Sequence, residues 1–344
     1  MILSYYLPQF HEVEENNLWW GKGFTEWTKV NEAISYFENH NIRKPIEPLG
    51  QYNLLDIDVI EKQYSIAKSH GIDGFMIWNY WFGNNEKILE KPLEIIHKTK
   101  AKVKYCLAWA NHSWLNKSKG VLLKEQQYLG EKDYIDYFNY LVDFFKSDQY
   151  IKINNKPIFT IFRPQDIKDL DIFLEVFNSL AKKHGFDGVY WIAENTDINA
   201  LYVQKFDKYL NSSDFLALRK YKKITYLVEI VNNFTKGRLK LGPFIYSYKK
   251  MVDMDRQFLS SCKEIPVIFT GWDTSIRHST NGIILKDFDI NSFEYHVNKK
   301  LELSTDFIIV KSWNEWAEGN ILEPDNLLGD NLLKTIKLGK QRYE

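Results

Sequence analysis

The chain has 344 residues, with 45 Lys or Arg against 45 Asp or Glu, and 44% of it is hydrophobic. That is long enough for a large core, and a net charge of zero offers no basic field to draw nucleic acid or anionic lipid. Cys106 and Cys262 suggest neither a disulfide framework nor a metal site. The start, MILSYYLPQF, lacks the basic and long apolar regions of a signal peptide, and no window approaches the ~18 apolar residues of a membrane span. A reduced, cytoplasmic, soluble protein is expected. The 11 Trp and 21 Tyr are the informative excess. They pack cores, but they also form platforms for the CH faces of sugars.

Apolar runs of strand length alternate with amphipathic segments along the chain. ILSYYL (2–7) reads as the first strand and leads into LPQFHEVEEN, without the Gly-rich turn of a dinucleotide-binding unit. DIDVIEKQYSIAKSHG (56–71) sets Ile57, Ile60, Tyr64 and Ala67 at helical spacing, opening on Asp56 and closing on Gly71. Strands follow at GFMIWNY (74–80) and KVKYCLAW (102–109), a helix at 131–147, a strand at PIFTIF (157–162), a helix at 169–185 and a strand at GVYWIA (188–193). The sixth strand falls on DKYLN (207–211) or LGPFIYS (241–247). IPVIFTGW (265–272), a helix over 290–303 and DFIIVKSW (306–313) complete the series. HGIDGF (70–75) and HGFDGV (184–189) look like one device used twice, a helix stop followed by strand entry. Repeated β-then-α units imply a parallel sheet with helices outside, most simply one (β/α)8 barrel over residues 1–344. An open doubly wound sheet is the alternative.

In such a barrel, chemistry gathers at the C-terminal ends of the strands. The residues there are polar and aromatic. Gln9 and His11 follow the first strand, and Asn79, Tyr80, Trp81 and Phe82 the second. Trp109, Asn111, His112 and Trp114 follow the third, Arg163 the fourth, Glu194 and Asn195 the fifth. Trp272, Asp273 and Arg277 follow the seventh.

The eighth runs into KSWNEWAEGNILEPD (311–325), which sets Glu315, Glu318, Glu323 and Asp325 among Trp313 and Trp316. Glycosidic chemistry needs a protonated carboxyl to assist the leaving oxygen and usually an ionised one as nucleophile or base. A Glu beside an indole loses solvation, which raises its pKa toward an acid's working range. Glu315 and Glu318, flanking Trp316, fit that pair in type. The blander role for either is an N-cap or an ion pair with Arg277 or Arg163.

The sequence resembles the WbsX family of bacterial polysaccharide-biosynthesis proteins, related to glycoside hydrolase family 99. The resemblance is carried by YYLPQFH (5–11), WWGKGFTEWTKV (19–30), YWFG (80–83) with LEKP (89–92), WAN (109–111), GWD (271–273) with Arg277, and SWNEWAEGNILEPD (312–325). It implies a (β/α)8 barrel acting on glycans, with both catalytic carboxylates in the E-W-x-E motif. Glu315 would then act as base on the sugar's own 2-hydroxyl, giving a 1,2-anhydro intermediate. Glu318 would be general acid, then base, with configuration retained. Trp27, Trp81, Trp109 and Trp272 are expected to stack on sugar faces. Glu26, Asn111, Asp273 and Arg277 are expected to bond hydroxyls, with Tyr6, Tyr80, His112, Trp313 and Asn314 completing the substrate site. No metal or cofactor is implied. Two positions depart from the family pattern: Asn79 stands where a His is expected, and His112–Ser113 stand in WANHSW in place of WANENW.

Three functions follow: a retaining endo-acting glycosidase or transglycosylase, a glycosyltransferase using an activated donor, or a glycan-binding module. A metal-dependent transferase would favour an Asp-x-Asp pair. DID (56–58), DLD (169–171), DMD (253–255) and DFD (287–289) exist, but they open or lie in helical patterns and suit caps better. There is no H-E-x-x-H and no G-x-S-x-G.

Overall fold

In the computed structural model, which describes the chain except residues 117–119, 195, 196, 198, 211, 212, 236, 257, 304, 305 and 344, eight parallel strands form a closed circuit. They are β1 (Ile2–Tyr6), β2 (Gly74–Asn79), β3 (Tyr105–Trp109), β4 (Lys156–Ile161), β5 (Tyr190–Ala193), β6 (Lys208–Leu210), β7 (Glu264–Ile265 and Val267–Phe269) and β8 (Ile308–Lys311). Each pairs with the next, and β8 returns to β1. Pro266 has no N–H to give and splits β7. The first half pairs with β6 and the second with β8, which completes the barrel.

Helices cover the outside: α1 (Ile57–Ser69), α2 (Lys91–Thr99), α3 (Glu131–Lys146) and α4 (Leu170–Lys183) follow β1 to β4. A short 3-10 turn, Leu201–Lys205, replaces the helix after β5. The β6–β7 connection holds α5 (Ser213–Tyr221) and α6 (Lys223–Phe234), and α7 (Ile290–Leu301) and α8 (Asn331–Tyr343) close the ring. Asp56 caps α1 by accepting the Asp58 amide at 3.0 Å. The twin turns are one device: Gly71 and Gly185 both take positive φ, and the next amides, of Ile72 and Phe186, bond back to Ala67 and Ala181.

The sixth strand is the DKYLN segment; Asn211 and, further back, the rim candidate Asn195 lie outside the described residues. LGPFIYS instead forms Phe244–Ser247, which pairs with Ile283–Lys286 outside the barrel. It builds a second core with Leu218, Tyr248, Met251 and Leu285, and so has no apolar face left for the barrel.

The loops at the mouth are locked by one buried ion pair. Arg43 donates through Nε (2.9 Å) and Nη2 (2.7 Å) to Asp325, and also to the carbonyls of Thr270 and Ile321. Asp325 takes the amides of Leu327 and Leu328 on its other oxygen. Breaking such a pair strands a buried charge at a cost of about 3–5 kcal/mol. Asp325→Ala is therefore expected to lower unfolding free energy by that amount in denaturant titration, with the slope m unchanged.

Candidate active site

The segment after β8 is pinned by Asn314. Its side chain mimics a strand, accepting the Leu7 amide at 2.7 Å and donating to the Leu7 carbonyl at 3.1 Å. Two of the four acids that follow are structural. Asp325 holds Arg43, and Glu323 is buried beneath the rim. Glu323 accepts the Trp316 indole N–H (2.6 Å), the Tyr52 hydroxyl (2.9 Å) and the Gln63 amide (2.6 Å). Burial pushes Glu323 up to about 7.

Glu315 and Glu318 are half-buried on the rim. Glu315 accepts the Trp78 indole N–H on Oε1 at 3.0 Å and the Ser312 hydroxyl on Oε2 at 2.8 Å. Burial, then the charge of Glu318, push Glu315 up to about 7 against those two bonds. Glu318 accepts Nη1 of Arg277 at 2.7 Å, while Nη2 of the same guanidinium holds Glu26. Glu26 is buried, and burial raises its pKa despite Arg277. Burial opposes the Arg277 charge, but Glu26 and Glu318 outweigh it. Burial, then the Glu315 charge, push the Tyr80 phenol up. Its ring meets Trp114 edge-on at 5.2 Å, and Trp114 meets Trp19 at 5.7 Å.

A floor lies beneath Glu315. Trp78 stacks on Tyr5 with centroids 4.5 Å apart, and Glu194 holds both the Tyr5 hydroxyl and Lys311. Trp78, Lys311 and Ser312 escape sequence reasoning because they sit inside or at the end of apolar strand runs. Period-two alternation is the signal that finds them: Trp78 shares the lumen face with Met76, which receives Thr160 from β4.

Several expected sugar platforms are turned away from the lumen. Tyr6 points outward and donates to Gln63 of α1 at 2.7 Å. Trp109, paired in register with Asn79, faces the helices too; its N–H goes to the Trp81 carbonyl, and its ring packs on Phe173 and Tyr137. Trp81 is stacked on Tyr137 and donates to Asp133 at 3.1 Å. Trp27 is buried against Phe10 and Trp316, with its N–H on the Tyr52 carbonyl. Trp313 is buried against Phe75. Asn111 spends its side chain on Arg163 N and O. All of these bind other parts of the protein, as does Asn314. The departure at Asn79 also falls outside the cleft, since Asn79 accepts the Tyr137 hydroxyl.

Half-buried His112 packs on Phe162, which meets Trp78 edge-on. Trp272 is half-buried, and its carbonyl accepts the Leu285 amide. Asp273 binds His40 at 2.8 Å and Ser275, and its amide donates to the Glu318 carbonyl at 2.6 Å. That contact is possible because Gly319 has φ +61° and no Cβ, which would lie 2.6 Å from Asp273.

The family model described as "Glycosyltransferase WbsX" matches residues 2–336. The chain belongs to the WbsX family. The protein WxcX of Xanthomonas campestris pv. campestris (strain B100) is 26% identical over 351 residues, covering 95% of this chain and 48% of that protein. WxcX of strain ATCC 33913 matches to the same extent. This WbsX chain thus spans about half the length of the curated relatives it matches. Among solved structures, the GH99 endo-alpha-mannosidase from Bacteroides thetaiotaomicron, in complex with BIS-TRIS-propane, superposes with a TM-score of 0.61 at 16% identity, covering 99% of this chain and 96% of that one. A glycoside hydrolase-like protein gives 0.61 at 14% identity, over 98% and 93%. The shared fold is the (β/α)8 barrel.

The indole N–H of Trp78 can only donate, so it stabilises Glu315 in its ionised form. Trp78→Phe keeps the ring on Tyr5 but removes that donor. The Glu315 pKa is expected to rise further, by about one unit. Infrared titration of the carboxyl band, referenced to Glu315→Gln, measures it.

Proposed function

We propose that this WbsX protein cleaves or transfers a glycosidic bond in a preformed glycan with retention of configuration, in the assembly or remodelling of bacterial surface polysaccharide such as O-antigen or capsule. The observation that carries the reading is a pair of half-buried rim carboxylates three residues apart, Glu315 oriented by Trp78 and Ser312 and Glu318 held by Arg277. The fold shared with GH99 endo-alpha-mannosidases supports it.

The division of labour is the one that the E-W-x-E resemblance implies. Glu315, with its oxygens oriented by Trp78 and Ser312, is a base matched to neutral pH. It takes the proton of the sugar 2-hydroxyl as that oxygen attacks C1 and the C1–O bond breaks. Glu318 gives its proton to the departing oxygen. Water or an acceptor hydroxyl, deprotonated by Glu318, then opens the 1,2-anhydro ring at C1, and Glu315 returns its proton to the 2-oxygen. When Glu318 carries the proton, Glu26 still balances Arg277, so the cleft never holds an unpaired guanidinium.

A base must be ionised to act. With Glu315 at about 7, kcat/KM is expected to rise with pH through about 7, and this limb disappears in Glu315→Gln. A profile that falls through the same range would make Glu315 the acid instead. Glu315→Gln and Glu318→Gln should each lose about a hundredfold or more in turnover while glycan binding persists. Full activity in both variants would dismiss the assignment.

The family's description favours a second reading, a glycosyltransferase. The four Asp-x-Asp pairs have other work: Asp56 and Asp289 cap helices, Asp169 accepts the Tyr134 hydroxyl, and Asp255 holds Lys300. Incubation with capsule or O-antigen repeat fragments, with and without nucleotide sugars, separates the two. Product from the glycan alone is the expected result; strict dependence on a nucleotide sugar would establish the transferase.

A further inference from the structure

The β6–β7 connection contains a helix whose amphipathicity is inverted. α6 buries Glu229 and Asn232 and turns Ile224 (81% exposed), Leu227 (61%), Ile230, Val231 and Phe234 (88%) to solvent. At helical pitch these five side chains fall in an arc of about 120°. The rotation is fixed by bonds on the buried side. Glu229 accepts the Tyr246 hydroxyl at 2.8 Å and pairs with Arg219 at 2.8 Å. Asn232 donates to Asn281 at 2.9 Å and accepts the Leu241 amide at 3.2 Å. Exposed Tyr221, Leu239 and Leu241 extend the apolar surface.

The charge around it is equally one-sided. From Arg219 to Lys250 the sequence carries nine Lys or Arg and one acid, the buried Glu229. Lys220, Lys223, Arg238 and Lys240 are exposed. The neutrality of the whole chain, which argues against attraction to anionic lipid, conceals this block.

Soluble monomers rarely leave a contiguous apolar patch uncovered, and an apolar helix face flanked by basic residues is the pattern of an interfacial helix. We propose that α6 seats the protein on an anionic membrane surface, with its apolar stripe at the acyl boundary and the flanking Lys and Arg on lipid phosphates. A second copy of the chain fits less well, because pairing two such faces brings like charges together. The proposal does not depend on the glycosidic reading. It has a consequence for the site: Asn232 bonds Asn281, four residues from Arg277, so the docked helix adjoins the rim.

The full chain is sedimented with vesicles of phosphatidylcholine alone and of phosphatidylcholine with phosphatidylglycerol. Binding is expected only to the second, weakened by salt and by about fivefold for each charge removed in Lys220→Gln, Lys223→Gln and Arg238→Gln. The exposed pair Leu227→Ser with Phe234→Ser should weaken it about tenfold or more with circular dichroism and Tm unchanged. Absence of binding to phosphatidylglycerol vesicles, or equal binding by wild type and the Ser variant, overturns the proposal. A dimer in light scattering that the Ser variant dissolves, without vesicle binding, overturns it in favour of self-association.

Discussion

The mouth of the barrel is organised by one guanidinium shared between two carboxylates. Arg277 comes from the loop after β7, Glu26 from the helix Glu26–Glu32 after β1, and Glu318 from the turn after β8. A fork of rigid donors can hold both acids only if all three segments keep their positions. A second ion pair, Arg43 with Asp325, joins neighbouring loops, and the contrast between them is instructive. Arg43 and Asp325 retain 10% and 0% side-chain exposure, whereas Arg277 and Glu318 retain 29% and 22%. The first is sealed and fixes the loops. The second stays accessible and presents a carboxylate whose partner has a spare counter-charge.

Glu315 and Glu323 make the same point about acidity. Both lie in one segment, and burial pushes both up to about 7. Glu323 is enclosed by three donors and almost free of solvent, so its proton has nowhere to go. Glu315 accepts Trp78 on one oxygen and Ser312 and, at 3.4 Å, Asn320 on the other, and it is only half-buried. A raised pKa therefore does not by itself mark a catalytic candidate here; access to the rim separates the two carboxyls.

Much of the scaffold was legible in the sequence. Apolar runs at regular intervals marked the strands, and the repeated HG-x-DG turns, with their left-handed glycines, marked αβ junctions. The sixth strand was ambiguous because LGPFIYS has strand character and is a strand, but in a separate two-stranded pair. Of the candidate site, Tyr80, Arg277, Glu315 and Glu318 could be placed on the rim by counting past strand ends, whereas Glu26 came only from the family resemblance. The indoles could not be sorted that way. A tryptophan one residue off the lumen register packs on helices, as Trp109 does against Phe173, and looks identical in composition to one in the cleft. Trp78 was hidden for the opposite reason, inside a strand run that reads as core.

The inverted helix is a case where local propensity and global charge both mislead. A half-turn rotation of α6 would bury its apolar stripe, but it would leave Arg219, the Tyr246 hydroxyl and Asn281 without the partners they now have. These partnerships, two of them to the buried Glu229 and one to the buried Asn232, set the present rotation. The polar pairs thus specify which face looks inward, and the apolar face is left over by the fold itself. Among the described residues nothing covers that face, and the basic residues on either side would favour an anionic surface.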